Sequence, residues 1–254
     1  MAQRLTFRDK ITSEAWQHKI RVEKEREWIE SGKPRFWESL DLDLKKAVVR
    51  EVNRQTAEKI ILEYEWLGDM AVTDKYYGIF FDQFCAGVIC IHTKGVSIPS
   101  STHYGLTIYD ISYFARGACV FWSPKGTASK LLSVVARLEK KRGAKMCIGF
   151  ADTDAGEYGT IYQACNWLCI GKLPGQEQQF VKGNKVIGTR TLCTRIKNSP
   201  YSRAEYIKRL KQSGWREQRG NSKYRYINIL ADEPERSRIY NRIKNNIIPY
   251  PKRV

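Results

Sequence analysis

The stretch "ARGACVFWSPKGTASKLLSVVARLEKKRGAKMCIGFAD", residues 115–152, constrains the fold of this chain more than any other. It opens with a turn, then carries a helix over Thr127–Lys141 whose apolar face is Leu131, Leu132, Val135 and Leu138. Gly143 stops that helix, and "KMCIGFA" follows as a strand of the buried type. A strand, helix, strand unit of this kind commits the chain to a sheet covered by helices.

The flanking sequence extends the pattern. Residues 13–31 read as a helix with Ser13 as N-cap and a charged outer face, and "FWESLDLDLKKAVVREVN" continues in helical style. "TAEKIILEYEWLGDM" begins at Thr56 as a cap, sets Ile60, Ile61, Tyr64 and Leu67 on one face, and ends near Gly68. "KYYGIFFD" and "FCAGVICIHT" form a hairpin, residues 94–105 a loop, and "LTIYDISYF" a strand. "NKVIGTRTLCTRI" and "SKYRYINIL" are later strands, with the basic helix "RAEYIKRLKQ" between them.

Composition narrows the class. A hydrophobic content of 42% excludes a disordered chain, while 28% charged residues and the absence of a long apolar run exclude a membrane span. The opening residues are polar throughout, so secretion is not expected. The 7 cysteines lie mostly inside apolar runs, which fits reduced core thiols and a cytoplasmic protein. His18, His92 and His103 are scattered, so no metal site is expected.

Charge points to a partner. Residues 172–254 hold 20 Lys and Arg against 6 Asp and Glu, most of the net charge of +17. Trp215, Tyr224, Tyr226, Tyr240 and Tyr250 are interleaved with those cations, and cations among stacking platforms suit a nucleic acid. A merely solubilising basic face is the plainer alternative.

The element order resembles the GNAT acyltransferase fold, an α/β (α+β) architecture with a central mixed sheet flanked by helices, here with a helical extension over residues 1–55 before a catalytic domain over 56–254. In that superfamily a Gly-rich turn at a helix N-terminus holds the coenzyme A pyrophosphate. The matching stretch is "SPKGTA", which makes Gly126, Thr127, Ala128 and Ser129 the candidate cofactor-binding residues, with Ser123 replacing the usual Arg or Gln.

A narrower resemblance rests on "ARGACVFWSPKGTASKLLS", "FADTDAGEYGTIYQACNW" and "SKYRYINIL…IIPYPKR", which are similar to the Mom family of phage DNA-modification proteins over residues 57–254. The resemblance implies transfer of a carbamoylmethyl, glycinamide-like group to adenine N6 in DNA, protecting phage DNA from host restriction. The DNA is expected to be duplex with the adenine flipped out. The implied catalytic residues are Asp152, Tyr162, Arg116 and Tyr64, with Glu63 standing where relatives carry a His, and Asn166 and Trp167 are candidates to read or stack the base. Adenine N6 is a poor nucleophile, so a carboxylate at a strand end, such as Asp152, suits proton removal as the new bond forms. A carbamoylmethyl product is joined through a methylene, which simple acetyl transfer does not yield, so the donor is left open between acetyl-CoA and a glycine-derived donor. Two further classes fit the same residues: an N-acetyltransferase acting on aminoacyl-tRNA or protein amines, and a non-catalytic DNA-binding module on this scaffold.

Overall fold

The computed structural model of the chain describes residues 15–96, 98–172, 178–182, 185–219 and 223–252. Its main sheet starts at a short edge strand, β1 (Val48–Glu51), and continues through the expected hairpin of β2 (Lys75–Phe81) and β3 (Phe84–His92). Next come β4 (Ile111–Cys119), β5 (Met146–Asp152), β6 (Leu168–Lys172) and, from much later in the chain, β10 (Lys223–Ile229), in the spatial order β1-β2-β3-β4-β5-β10-β6. Among the described residues only β4 and β5 pair in parallel, joined by the crossover helix α4 (Thr127–Lys141) that the sequence predicts residue for residue. The central mixed sheet flanked by helices, with a helix before it, is thus present.

Each face of the sheet is sealed separately. On one, α4 and α2 (Arg54–Tyr64) bury Ile60, Ile61, Leu131, Leu132 and Val135 against Ile79, Val88 and Cys147. Leu131 and Leu132 are each 1% exposed, so each contributes about 2 kcal/mol of transfer free energy. On the other face, Ile239 and Ile243 of α8 (Glu235–Ile243) pack on Ile111, Ile148, Ile227 and Ile229. The first helix, α1 (Trp16–Glu30), lies outside both, and Trp28 meets Trp37 and Phe121 edge-on or tilted.

Between β6 and β10 the chain builds a second sheet, β7 (Gln178–Lys182), β8 (Lys185–Ile187) and β9 (Arg216–Arg219), in the order β8-β7-β9. With α6 (Thr189–Lys197) and α7 (Arg203–Gln212) it encloses its own core of Phe180, Ile187, Leu192 and Leu210.

Several local expectations are corrected. "FWESLDLDLKKAVVREVN" is not helical beyond a short 3-10 turn at Phe36–Ser39: Asp41 and Asp43 accept the N–H groups of Asp43 and Lys45, and Val48 onward is β1. The cap of α2 is Asn53, which accepts the Thr56 N–H at 2.9 Å, and the helix ends at Tyr64 rather than near Gly68. Residues 98–103 form a short helix, α3 (Ile98–His103), inside the expected loop. β4 starts later and runs further than "LTIYDISYF", so Arg116 is inside the strand. Among the described residues of "NKVIGTRTLCTRI" only Lys185–Ile187 is strand; the rest is mostly α6. Ser13, expected as a cap, lies outside the described residues. The seven cysteines are free thiols, and among the described residues no helix is long and apolar enough to cross a membrane.

Candidate active site

The site is made by two strands parting. Parallel pairing of β4 with β5 runs from Ile111↔Met146 to Phe114↔Gly149 and stops there, although β4 continues to Cys119 and β5 to Asp152. Carboxyl ends of parallel strands are where open sheets admit ligands, because the backbone there has lost its lateral partner.

Aromatic rings floor the gap. Tyr162, on the short helix α5 (Thr160–Ala164), stacks on Tyr226 at 5.0 Å and 23° and meets Trp167 at 5.0 Å, while Trp167 lies edge-on to Phe114 at 5.2 Å. Two glycines permit this approach. A Cβ at Gly149 would stand 2.5 Å from Tyr162 ring atoms, and a Cβ at Gly159, whose φ is +75°, would enter the Tyr226 ring. The run "GTIYQACNW" therefore reflects packing as much as chemistry. Asn166 sits in the left-handed region at φ 57°, exposed, where it closes the turn after α5. Trp167 is 1% exposed, a floor residue and no platform for a base as the chain is folded.

Charged groups stand at the same end of the sheet. Asp152 ends β5, buried, with the Lys223 ammonium of β10 2.9 Å from its Oδ2. The chain then folds back, so that the Glu157 N–H donates to the Asp152 carbonyl at 3.0 Å. Glu157 is half-buried by its surface, but its carboxyl is enclosed by protein, and burial, then the Glu65 and Asp152 carboxylates, pushes its pKa up to about 8. Glu65, just past α2, is raised by burial to about 7, with the nearby Arg116 pulling the other way. Tyr162 is pushed well above the usual phenol range, by burial first and Glu157 second, so its hydroxyl stays protonated.

Arg116 is already engaged. Its guanidinium donates to Asp69 Oδ1 at 2.7 Å and to the Asp69 and Ala115 carbonyls at 3.1 and 2.8 Å, with Glu65 Oε2 3.8 Å away. It pins the segment after α2 against β4, beside a cavity of about 250 Å³ that Tyr113, His92 and Val72 also line. Tyr64 is buried in the main core, and burial, then Glu63, raises its pKa while Arg21 opposes. Glu63 itself is exposed. The acid that α2 brings inward is Glu65, two residues on, which sequence reasoning passed over together with Glu157. Both stand beside a tyrosine in the sequence, and nothing else there marks them.

The Gly-rich turn is differently occupied. Gly126 caps α4 at φ 96°, as a phosphate turn requires. But Arg21 of α1 donates to the Phe121 and Ser123 carbonyls and to Ser123 Oγ at 3.1–3.2 Å, and Leu44 stands 2.9 Å from where a Gly126 Cβ would be. The Thr127 and Ser129 hydroxyls donate to the local Pro124 and Gly126 carbonyls. Ala128 is half-buried beside them. The N-terminal segment is thus laid against the turn through Arg21 and Leu44, while the side chains of the turn bond to its own carbonyls. Among the described residues no group of three His, Cys, Asp or Glu could hold a metal ion.

Solved structures similar to this chain include an acetyltransferase of Bacillus subtilis in complex with CoA, at 10% identity and a TM-score of 0.42 over 73% of this chain and 98% of that one. An N-acetyltransferase of Staphylococcus aureus is similar at 10% identity and a TM-score of 0.44, over 73% of this chain and 99% of that one. No curated protein matches the chain. The sequence model of the Mom protein family, in contrast, matches residues 46–252, from the edge strand of the sheet to the last described residue. The chain therefore belongs to the Mom protein family.

Proposed function

We propose that this protein is a transferase that places a carbamoylmethyl, glycinamide-like group on N6 of adenine in DNA, shielding phage DNA from host restriction. The observation that carries this reading is that two of the residues singled out by the family resemblance meet the same stretch of β5 beyond its pairing with β4: Asp152 ends the strand, and Tyr162 packs on Gly149, where that pairing stops.

In this reading N6 bonds to the donor's methylene carbon as the bond from that carbon to its leaving group breaks, and Asp152, held as an ion pair with Lys223, takes the N6 proton. The protonated Tyr162 hydroxyl donates to the leaving group or to charge building on it. Arg116 acts from behind, fixing Glu65 and the loop after α2. Because N6 lies on the pairing edge inside the stack, the adenine must be extruded, at a cost of a few kcal/mol. A glycine-derived donor suits the methylene linkage of the product better than acetyl-CoA does. The protein's +17 charge supplies the attraction to a polyanionic substrate.

Mass spectrometry of nucleosides from the DNA of expressing cells tests the reading: a modified deoxyadenosine supports it, and an unchanged nucleoside profile refutes it.

A further inference from the structure

The cationic excess of the C-terminal third is not spread along it. Residues 178–219 alone carry 11 Lys and Arg against 2 Asp and Glu. In the segment that returns to the main sheet, most cations are spent on the fold: Lys223 on Asp152, Arg225 on the Tyr104 hydroxyl at 2.8 Å, Arg236 on the Ile229 carbonyl at 2.7 Å, and Arg238 on Glu235 at 2.6 Å. In the inserted module the side chains of Arg195, Lys197, Lys208 and Arg216 are exposed, with no hydrogen-bond or ion-pair partner among the described residues. Cations that stabilise nothing internally are held at the cost of mutual repulsion, which a polyanion relieves.

The module is also built to present a helix. Tyr206, Ile207 and Leu210 of α7 pack on its small core, while Lys208, Arg209 and Gln212 face out. Ser202 and Glu205 close a capping box that fixes the N-terminus of α7. Hydrogen bonds from Arg203 to Gln178 at 2.7 Å and from Lys182 to the Ser213 carbonyl at 2.7 Å tie the helix end-regions to β7. A helix of 10 residues is ~15 Å long and slim enough for a major groove ~12 Å wide, where Gln and Arg are the side chains suited to adenine and guanine edges. The module leaves the main sheet at Lys172 and rejoins it at Lys223, whose register partner on β5 is Asp152. It is therefore tethered at the very end of the sheet where the candidate site lies.

We infer that the described residues 178–182 and 185–219 form a duplex-DNA docking module, in which Arg195, Lys197, Lys208 and Arg216 hold phosphates and the outer face of α7 reads the groove flanking the target base. The target being an adenine over Asp152 rests on the proposed function; docking of duplex DNA on this surface does not. The module thus sets which adenines are reached, while the main sheet supplies the chemistry.

The test uses the full chain. Binding of a defined duplex is measured across a salt series for the wild type, for the Arg195→Ala, Lys208→Ala double variant, and for Gln212→Ala, with thermal unfolding as a fold control. The double variant is expected to weaken binding on all sequences and to lower the slope of log affinity against log salt by about two, one for each phosphate no longer neutralised. Gln212→Ala is expected to keep the slope and shift the distribution of bases flanking the bound or modified site. Unchanged affinity and slope in the folded double variant would overturn the inference, as would tighter binding of the wild type to a transfer RNA than to the duplex. If the slope falls as expected but the wild type modifies no adenine, the docking module stands and the proposed chemistry falls.

Discussion

The Tyr162 ring lies flat on Gly149, so close that a single methyl group at position 149 would stand 2.5 Å from the phenol oxygen. The backbone of β5 thereby sets the position of the hydroxyl, and the glycine is a requirement of the site rather than of the strand. Gly149→Ala is expected to lift Tyr162 off the sheet and remove modification activity, as Tyr162→Phe does by deleting the hydroxyl, with losses of about 100-fold or more in turnover. Single-turnover modification of a DNA substrate by the two variants, each shown folded by circular dichroism, checks this. Full activity in Tyr162→Phe would make the residue a packing element alone.

Glu65 and Glu157 make the fold sensitive to base. Their folded-state pKa values, about 7 and about 8, lie above those of the unfolded chain, so both are protonated at low pH in either state and the stability this represents is lost as pH rises from about 4.5 toward 8. Thermal midpoints measured from pH 5 to pH 8.5 are expected to fall, and Glu157→Gln is expected to flatten that decline. An unaltered pH dependence in the variant would place the Glu157 carboxyl in water.

A structural carboxylate elsewhere separates stability from activity. Glu139 is 1% exposed and accepts from the Tyr77 hydroxyl and from Ser112 Oγ at 2.6 Å, with Lys75 and Arg142 nearby. Glu139→Ala strands those partners, and a loss of about 3 kcal/mol is expected in urea denaturation. The activity of the folded fraction should be unchanged.

What the sequence discloses follows from how local each cause is. The helices α4 and α7 and the hairpin of β2 and β3 are legible because amphipathic spacing, caps and alternation are written within a few residues. β1 is not, since "VVRE" is four residues of a sheet edge, three of them exposed, and only its pairing with β2 makes it a strand. The separate sheet of β7, β8 and β9 is hidden for the same reason, its strands being short and far apart in sequence. Asp152 and Tyr162 are recognisable by family resemblance, whereas Glu65 and Glu157 join the site only through the parting of β4 and β5, a tertiary event. The side chains over the Gly126 turn come from residues 21 and 44, which no local pattern connects to it.

That covered turn gives a test of the donor. Millimolar coenzyme A or acetyl-CoA is expected to leave the thermal midpoint where it is if the contacts of Arg21 and Leu44 with the turn persist. A ligand at 100 times its Kd stabilises by about 2.7 kcal/mol, so a genuine site would be visible as a raised midpoint. Such a rise would show that α1 yields to the cofactor.

The central claim, that the groups gathered at the end of β5 modify adenine in DNA, is tested most directly by nucleoside mass spectrometry on DNA from cells expressing the wild type or Asp152→Asn at equal levels of folded protein. The amide keeps the shape of the side chain and loses the base. A deoxyadenosine bearing one added carbamoylmethyl group is expected with the wild type and not with Asp152→Asn; ordinary deoxyadenosine from both, or equal modification by both, contradicts the claim.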